Sequence, residues 1–155
     1  MGSAPGRRMG LQASSPTGRL MLLLDSEAVS AIAHGPPVRR DRVRALVTQM
    51  RIRGLPVATV AAVLAEVVHG RGADAAVFSG LRRERVEVRP VDTAVGVRAG
   101  QIMGAARVGS ELAVDAFIVS VGDLAGGAIV ATTDTHDLER LAAHADRVTI
   151  ASIQP

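Results

Sequence analysis

Cysteine, lysine, tyrosine and tryptophan are all missing from this chain, and Phe78 and Phe117 are its only aromatic residues. Without cysteine there are no disulfides and no thiolate–metal sites, and a reducing cytoplasm is permitted. Without lysine, the chemistry of response-regulator receivers is unavailable, although a first strand ending in an acid resembles theirs. There is no Walker A loop, no His-Glu-x-x-His and no Gly-x-Ser-x-Gly elbow. Gly70-Arg71-Gly72 is too short a glycine signature for nucleotide binding. Glu66-Val67-Val68-His69 matches Glu-x-x-His, but a di-iron bundle needs a second copy and a four-helix pattern. No apolar run approaches the roughly twenty residues that span a bilayer. Behind Arg7-Arg8 the only apolar run is Leu20–Leu24, too short for a signal core. The expectation is a soluble, cytoplasmic protein with no membrane partner.

What is present is aliphatic. Apolar residues make up 48% of the 155, mostly Ala, Val and Leu, enough for one packed domain and too few residues for two. Every basic residue is arginine. Three of the eighteen (Arg7, Arg8, Arg19) precede the first acid, so the remaining fifteen balance fifteen acids. The high isoelectric point therefore says little about nucleic acid; distribution says more. Residues 38–53 hold six arginines against Asp41, whereas residues 109–139 hold six acids and no arginine. A metal site beside a phosphate-binding flank fits that division, as does a solvated helix beside scattered surface acids.

Residues 1–19, rich in Gly, Ser, Pro and Arg, read as a disordered leader or a start-site extension, leaving 20–155 as the folded domain. Leu20–Leu24 reads as a central strand buried on both faces. Asp25-Ser26 caps a helix over 27–33, with Glu27 favourable near its positive end. The spacing of Val43, Leu46, Val47 and Met50 predicts a helix over 38–53. Further strands are expected at 55–59, 86–91, 128–132 and 147–151, and helices at 60–69, 73–83, 93–108, 112–125 and 135–143. This alternation predicts an α/β fold: a three-layer α/β/α domain around a mainly parallel sheet of four to five strands.

Functional groups in such sheets collect at the carboxyl ends of strands. Asp25 and Asp134 fall there. Asp115 interrupts an apolar helix, and Glu66 is the only charge in Val60–Val68. Ionised groups in apolar surroundings are costly unless compensated. A shared Mg²⁺ or Mn²⁺, which takes oxygen ligands, would compensate all four. Each acid alone also has a plain structural reading: Asp25 and Asp134 as helix caps, Asp115 as a dipole-stabilising acid, Glu66 paired with His69 or an arginine of 38–53.

Leu22-Leu23-Leu24-Asp25-Ser26, Ala65-Glu66-Val67-Val68, Val114–Val119 around Asp115, and Ala131–Leu138 around Asp134 resemble, in order, the acidic signatures of PIN domains, particularly VapC-type toxins. The resemblance spans roughly residues 20–153. It implies a Mg²⁺- or Mn²⁺-dependent endoribonuclease cutting single-stranded or looped RNA, a homodimer, and inhibition by a cognate antitoxin protein. It carries Asp25, Glu66, Asp115 and Asp134 over as catalytic and metal-binding acids. Ser26 and Thr133 correspond to flanking hydroxyls, and Asp137 and Glu111 to outer acids. With so few aromatics, base stacking is scarcely available, and RNA preference must come from shape, arginines or hydrogen bonds. Two other functions fit the same residues: a catalytically weak RNA- or protein-binding module, and a metal-dependent phosphoesterase acting on another substrate.

Overall fold

The computed structural model describes residues 18–155; up to residue 17, the expected leader lies outside the described residues. Five strands form one wholly parallel sheet: β1 (Met21–Leu24), β2 (Val57–Val60), β3 (Glu87–Arg89), β4 (Ala128–Thr132) and β5 (Val148–Ser152), in the order β3-β2-β1-β4-β5. Helices α1 (Ser26–His34) and α2 (Pro37–Ile52) join β1 to β2, and α3 (Ala61–Val67) and α4 (Asp74–Arg83) join β2 to β3. Then α5 (Thr93–Ala106), a 3₁₀ turn at Ser110–Leu112 and α6 (Ala113–Leu124) lead to β4, and α7 (Thr135–Ala142) leads to β5.

The direction of travel sets the layers. From β1 the chain moves outward through β2 to β3, then α5 and α6 carry it back to β4 on the other flank of β1. Right-handed crossovers running opposite ways leave their helices on opposite faces. Accordingly α1 packs with α2, α3 and α4, while α6 packs with α5 and α7. Strand order reverses between β1 and β4, and open α/β sheets bind ligands in the crevice at the carboxyl ends of such a pair.

With both faces covered, β1 is buried throughout, as its continuous apolar run requires. Shortening Leu23, fully buried, to alanine is expected to cost roughly 2–5 kcal/mol. On α2 the buried side chains are Val43, Val47 and Met50, a stripe at helical spacing. Gly122 lets α6 sit against the sheet, since a Cβ there would meet that of Ala128 at 2.6 Å. Gly126 and Gly127, at φ +94° and +145°, turn the chain from α6 into β4.

Element boundaries differ from expectation by a few residues where backbone chemistry intervenes. The second strand starts at Val57 rather than Leu55, because Pro56 has no N–H to pair; its carbonyl accepts from Leu22 at 3.0 Å. The helix expected over 93–108 stops at Ala106, where Arg107 takes a left-handed conformation at φ 55°. Among the described residues, no helix is long and apolar enough to cross a membrane.

Candidate active site

Asp25 follows β1 directly and caps α1, its carboxylate accepting from the Ala28 N–H at 2.8 Å. Helix capping explains its conformation but not its burial, for it is only 6% exposed. Burial pushes its pKa up to about 6, and the charges of Asp115 and Glu27 add to the rise; hydrogen bonds from Thr132 and the Ala28 amide oppose it. Asp115, in the first turn of α6, is likewise raised to about 6, first by burial and then by Glu66, Asp137 and Asp134.

The other two acids reach the same place from outside. Glu66, in the last turn of α3, accepts a hydrogen bond from the Ser26 hydroxyl. Asp134 caps α7, accepting from the His136 N–H at 3.2 Å, and its own N–H donates to Thr132 Oγ1 at 3.0 Å. These four acids line one cleft of about 190 Å³ together with Ser26, Glu27, Thr132, Asp137 and Leu138. It opens at the carboxyl ends of β1 and β4, where strand order reverses.

Among the described residues, no cation lines this cleft. Burial is the main cause of both raised pKa values, and repulsion from the neighbouring carboxylates adds to it. An all-oxygen donor set of this kind suits a hard divalent cation. As the described side chains are turned, no three Asp, Glu or His groups stand close enough to surround one ion. Asp25, Glu66 and Asp134 are each oriented by a local donor: the Ala28 amide, the Ser26 hydroxyl and the His136 amide.

The PIN-domain family profile matches residues 22–144, most of the chain, and all four acids lie inside it. The chain belongs to the PIN-domain family. No curated protein matches it significantly by sequence. Among solved structures, this PIN domain is similar to a chain of the DNA-bound VapBC of Salmonella typhimurium. The TM-score is 0.60 at 20% identity, covering 87% of this chain and 99% of that one. VapBC2 of Rickettsia felis, bound to a fragment of its promoter DNA, gives a TM-score of 0.57 at 14% identity, over 85% of this chain and 98% of the other. At such identities the likeness is one of fold.

Several expectations need correction. Glu66 and Asp134 are exposed rather than embedded, so the cost of burial weighs on Asp25 and Asp115 alone. Glu66 accepts from Ser26, not from His69 or an arginine of α2. Ser26 and Asp137 line the PIN-domain cleft, but Thr133 and Glu111 do not. The hydroxyl in the cleft is that of Thr132, the last residue of β4; Thr133 instead offers its carbonyl to Gln154 Nε2 at 2.7 Å. Glu111 folds back onto the Gly109 N–H at 3.0 Å, and hydrogen bonding holds its carboxyl below the usual range. Of the other acids in 109–139, Asp123 belongs to an ion pair with Arg98 at 2.7 Å.

Glu27 and Leu138 also line the cleft without having been expected there. For Glu27 a signal existed. First-turn side chains of a helix lean toward its N-terminus, and α1 begins at the carboxyl edge of the sheet.

Proposed function

We propose that this PIN domain is a Mg²⁺- or Mn²⁺-dependent endoribonuclease acting on single-stranded or looped RNA, and the toxin of a toxin–antitoxin pair. The observation that carries the reading is the convergence of Asp25, Glu66, Asp115 and Asp134 on one cleft that no cation lines among the described residues. A fold needing these acids only as helix caps or as dipole-stabilising charges would have no reason to gather all four in one cleft.

Asp25, Glu66, Asp115 and Asp134 would hold the ion. Bound there, it supplies Lewis acidity toward the scissile phosphate and the attacking water. The chain's own groups do the positioning. Ser26 holds Glu66, the Ala28 amide orients Asp25, and the Thr132 hydroxyl oxygen accepts from the Asp134 N–H. Asp137 adds negative charge behind Asp115. With water as the nucleophile and the P–O3′ bond as the one broken, the RNA 2′-hydroxyl takes no part, the 3′-oxygen leaves as a hydroxyl, and the products carry 5′-phosphates rather than 2′,3′-cyclic phosphates.

The toxin reading draws support from the fold shared with chains of two VapBC assemblies. A cognate antitoxin and a homodimer belong to the same proposal. The test is incubation with structured RNA, with Mg²⁺ and with EDTA, followed by mapping of the cut ends; single-stranded DNA and a nucleotide ester run in parallel. Mg²⁺-dependent cuts with 5′-phosphate ends in RNA alone support the proposal. Cyclic-phosphate ends, or cleavage unaffected by EDTA, defeat it. A protein that binds RNA without cutting it is a binding module, and preference for the ester makes it a different phosphoesterase.

A further inference from the structure

The arginines of residues 38–53 do not share one role. Arg44 and Arg51, with Arg83 of α4, are turned toward Glu84. Arg42 and Arg53 are exposed. Arg39 is different, because its Nη1 lies 3.9 Å from Oε2 of Glu27, and Glu27 lines the acidic cleft.

That pairing is a loose one. At 3.9 Å it is an ion pair without a hydrogen bond. The Nε of Arg39 is buried and has no hydrogen-bond partner among the described residues; the Nε of Arg40 shares that state, but only Arg39 also pairs with an acid of the cleft. Arg39 also lies in the first turn of α2, which contains no acid and where the helix dipole disfavours a cation. A guanidinium beside an anionic cleft, on a side chain 32% exposed and with only a distant counter-ion on its Nη1, is suited to an anion that accepts two parallel hydrogen bonds from the two Nη groups. A phosphodiester does so.

We propose that Arg39 is a positioning residue for RNA, binding a backbone phosphate beside the cleft, and that Glu27 holds its guanidinium at the rim until RNA displaces it. This rests on the endoribonuclease reading and deepens it by naming the arginine that meets the substrate. Glu27 is then a competitor for Arg39, not its support. The two side chains should therefore act in opposite directions on RNA affinity, which a purely structural pair would not do.

The experiment is binding of a fluorescent single-stranded oligoribonucleotide to the full chain in EDTA, titrated with NaCl. Arg39→Ala is expected to weaken binding and to reduce the slope of log K against log salt by about 0.7, the loss of one single-strand phosphate contact. Arg39→Lys restores the slope in part. Glu27→Gln is expected to tighten binding. Arg53→Ala, about 20 Å along the same helix at 1.5 Å per residue, leaves the slope unchanged. Equal weakening by Arg39→Ala and Glu27→Gln, or an equal loss with Arg53→Ala, overturns the proposal, as does an unchanged slope in Arg39→Ala. In Mg²⁺ the Arg39→Ala enzyme should show a raised KM with kcat little altered. Cleavage by the unmodified protein together with an unchanged KM in that variant sinks this inference alone. A slope change without any cleavage by the unmodified protein sinks the nuclease reading and leaves the phosphate contact standing.

Discussion

Two acids in this molecule are almost equally hidden, Asp25 at 6% exposure and Glu84 at 8%, yet their surroundings are opposite. Around Glu84 stand three arginines: Arg44 at 3.2 Å, Arg83 at 3.3 Å and Arg51 at 3.9 Å. Asp25 has Asp115 and Glu27 as its charged influences instead. Asp123 follows the Glu84 pattern with Arg98. The fold therefore has arginines for buried carboxylates and uses them in two places, but leaves the cleft at the β1–β4 crevice uncompensated. Glu84 and Asp123 are paired; among the described residues, the cleft acids lie beyond ion-pair distance of every guanidinium except that of Arg39, which reaches Glu27.

The largest test of that contrast is activity. Asp115→Asn and Asp25→Asn are each expected to lower kcat on RNA by about 10²–10³-fold or more, the scale of losing a group that acts on the transition state, while the fold persists. Single-turnover cleavage beside circular dichroism checks both halves. Full cleavage by both variants would remove the cleft from the chemistry.

The next effect concerns stability and carries a sign. Asp25 has a pKa of about 6 in the folded chain against an ordinary 3.8. Between those values the native state binds more protons than the unfolded one, so the group's contribution to stability falls as pH rises through that window. Above pH 6 the full penalty applies, on the order of 3 kcal/mol; below about 3.8 it vanishes. Asparagine keeps an oxygen for the Ala28 N–H and cannot ionise. In metal-free buffer Asp25→Asn should melt higher than the unmodified protein at pH 7–8, with the gain shrinking steadily toward pH 4. A gain that grows on acidification would contradict the raised pKa.

Glu84→Gln should do the reverse: cleavage is retained and stability falls. Removing the acid strands three guanidiniums, but each is more than a third exposed, so the loss is discounted to about 1–2 kcal/mol rather than the larger cost of breaking a fully buried pair. Urea denaturation of the two variants side by side would show shifts of opposite sign. Shifts of the same sign would mean that the two acids do not differ in kind.

How much of this was legible in the sequence depends on the residue. Asp25 could be read because a four-residue buried strand ends on it, and Asp134 because it stands two residues past β4 and opens α7. The sheet followed from alternating elements, since buried parallel strands and their crossover helices carry different periodicities. Glu66 was harder. Its helix has only seven residues, and its direction is set by packing against α1 and α6, which no local pattern encodes. Its exposure was misread for the same reason: apolar neighbours in sequence are not neighbours in space. Glu27 was masked because the residue that favours a helix start is also one that faces the cleft. The Glu84 cluster was invisible, because it joins α2 to α4 across forty residues of chain.

The smallest expected effect separates two adjacent threonines. The sequence reading paired Thr133 with Asp134, but a strand's side chains alternate, and one position decides which hydroxyl enters the crevice. Thr132 is buried in the cleft, accepts from the Asp134 N–H at 3.0 Å and opposes the rise in the Asp25 pKa. Thr132→Val keeps the shape and removes the hydroxyl, freeing the Asp134 cap and stripping Asp25 of one hydrogen bond. An orienting partner of this kind is worth about 10-fold or somewhat more in metal affinity or activity. Thr132→Val should therefore reduce cleavage by about that factor, and its Mg²⁺ dependence should shift to higher concentration. Thr133→Val should change neither beyond about twofold, because only its carbonyl is engaged, by Gln154 at the end of the chain. The reverse ranking would mean that β4 delivers the other side chain to the acids, and that the register at the end of this strand differs from the one described.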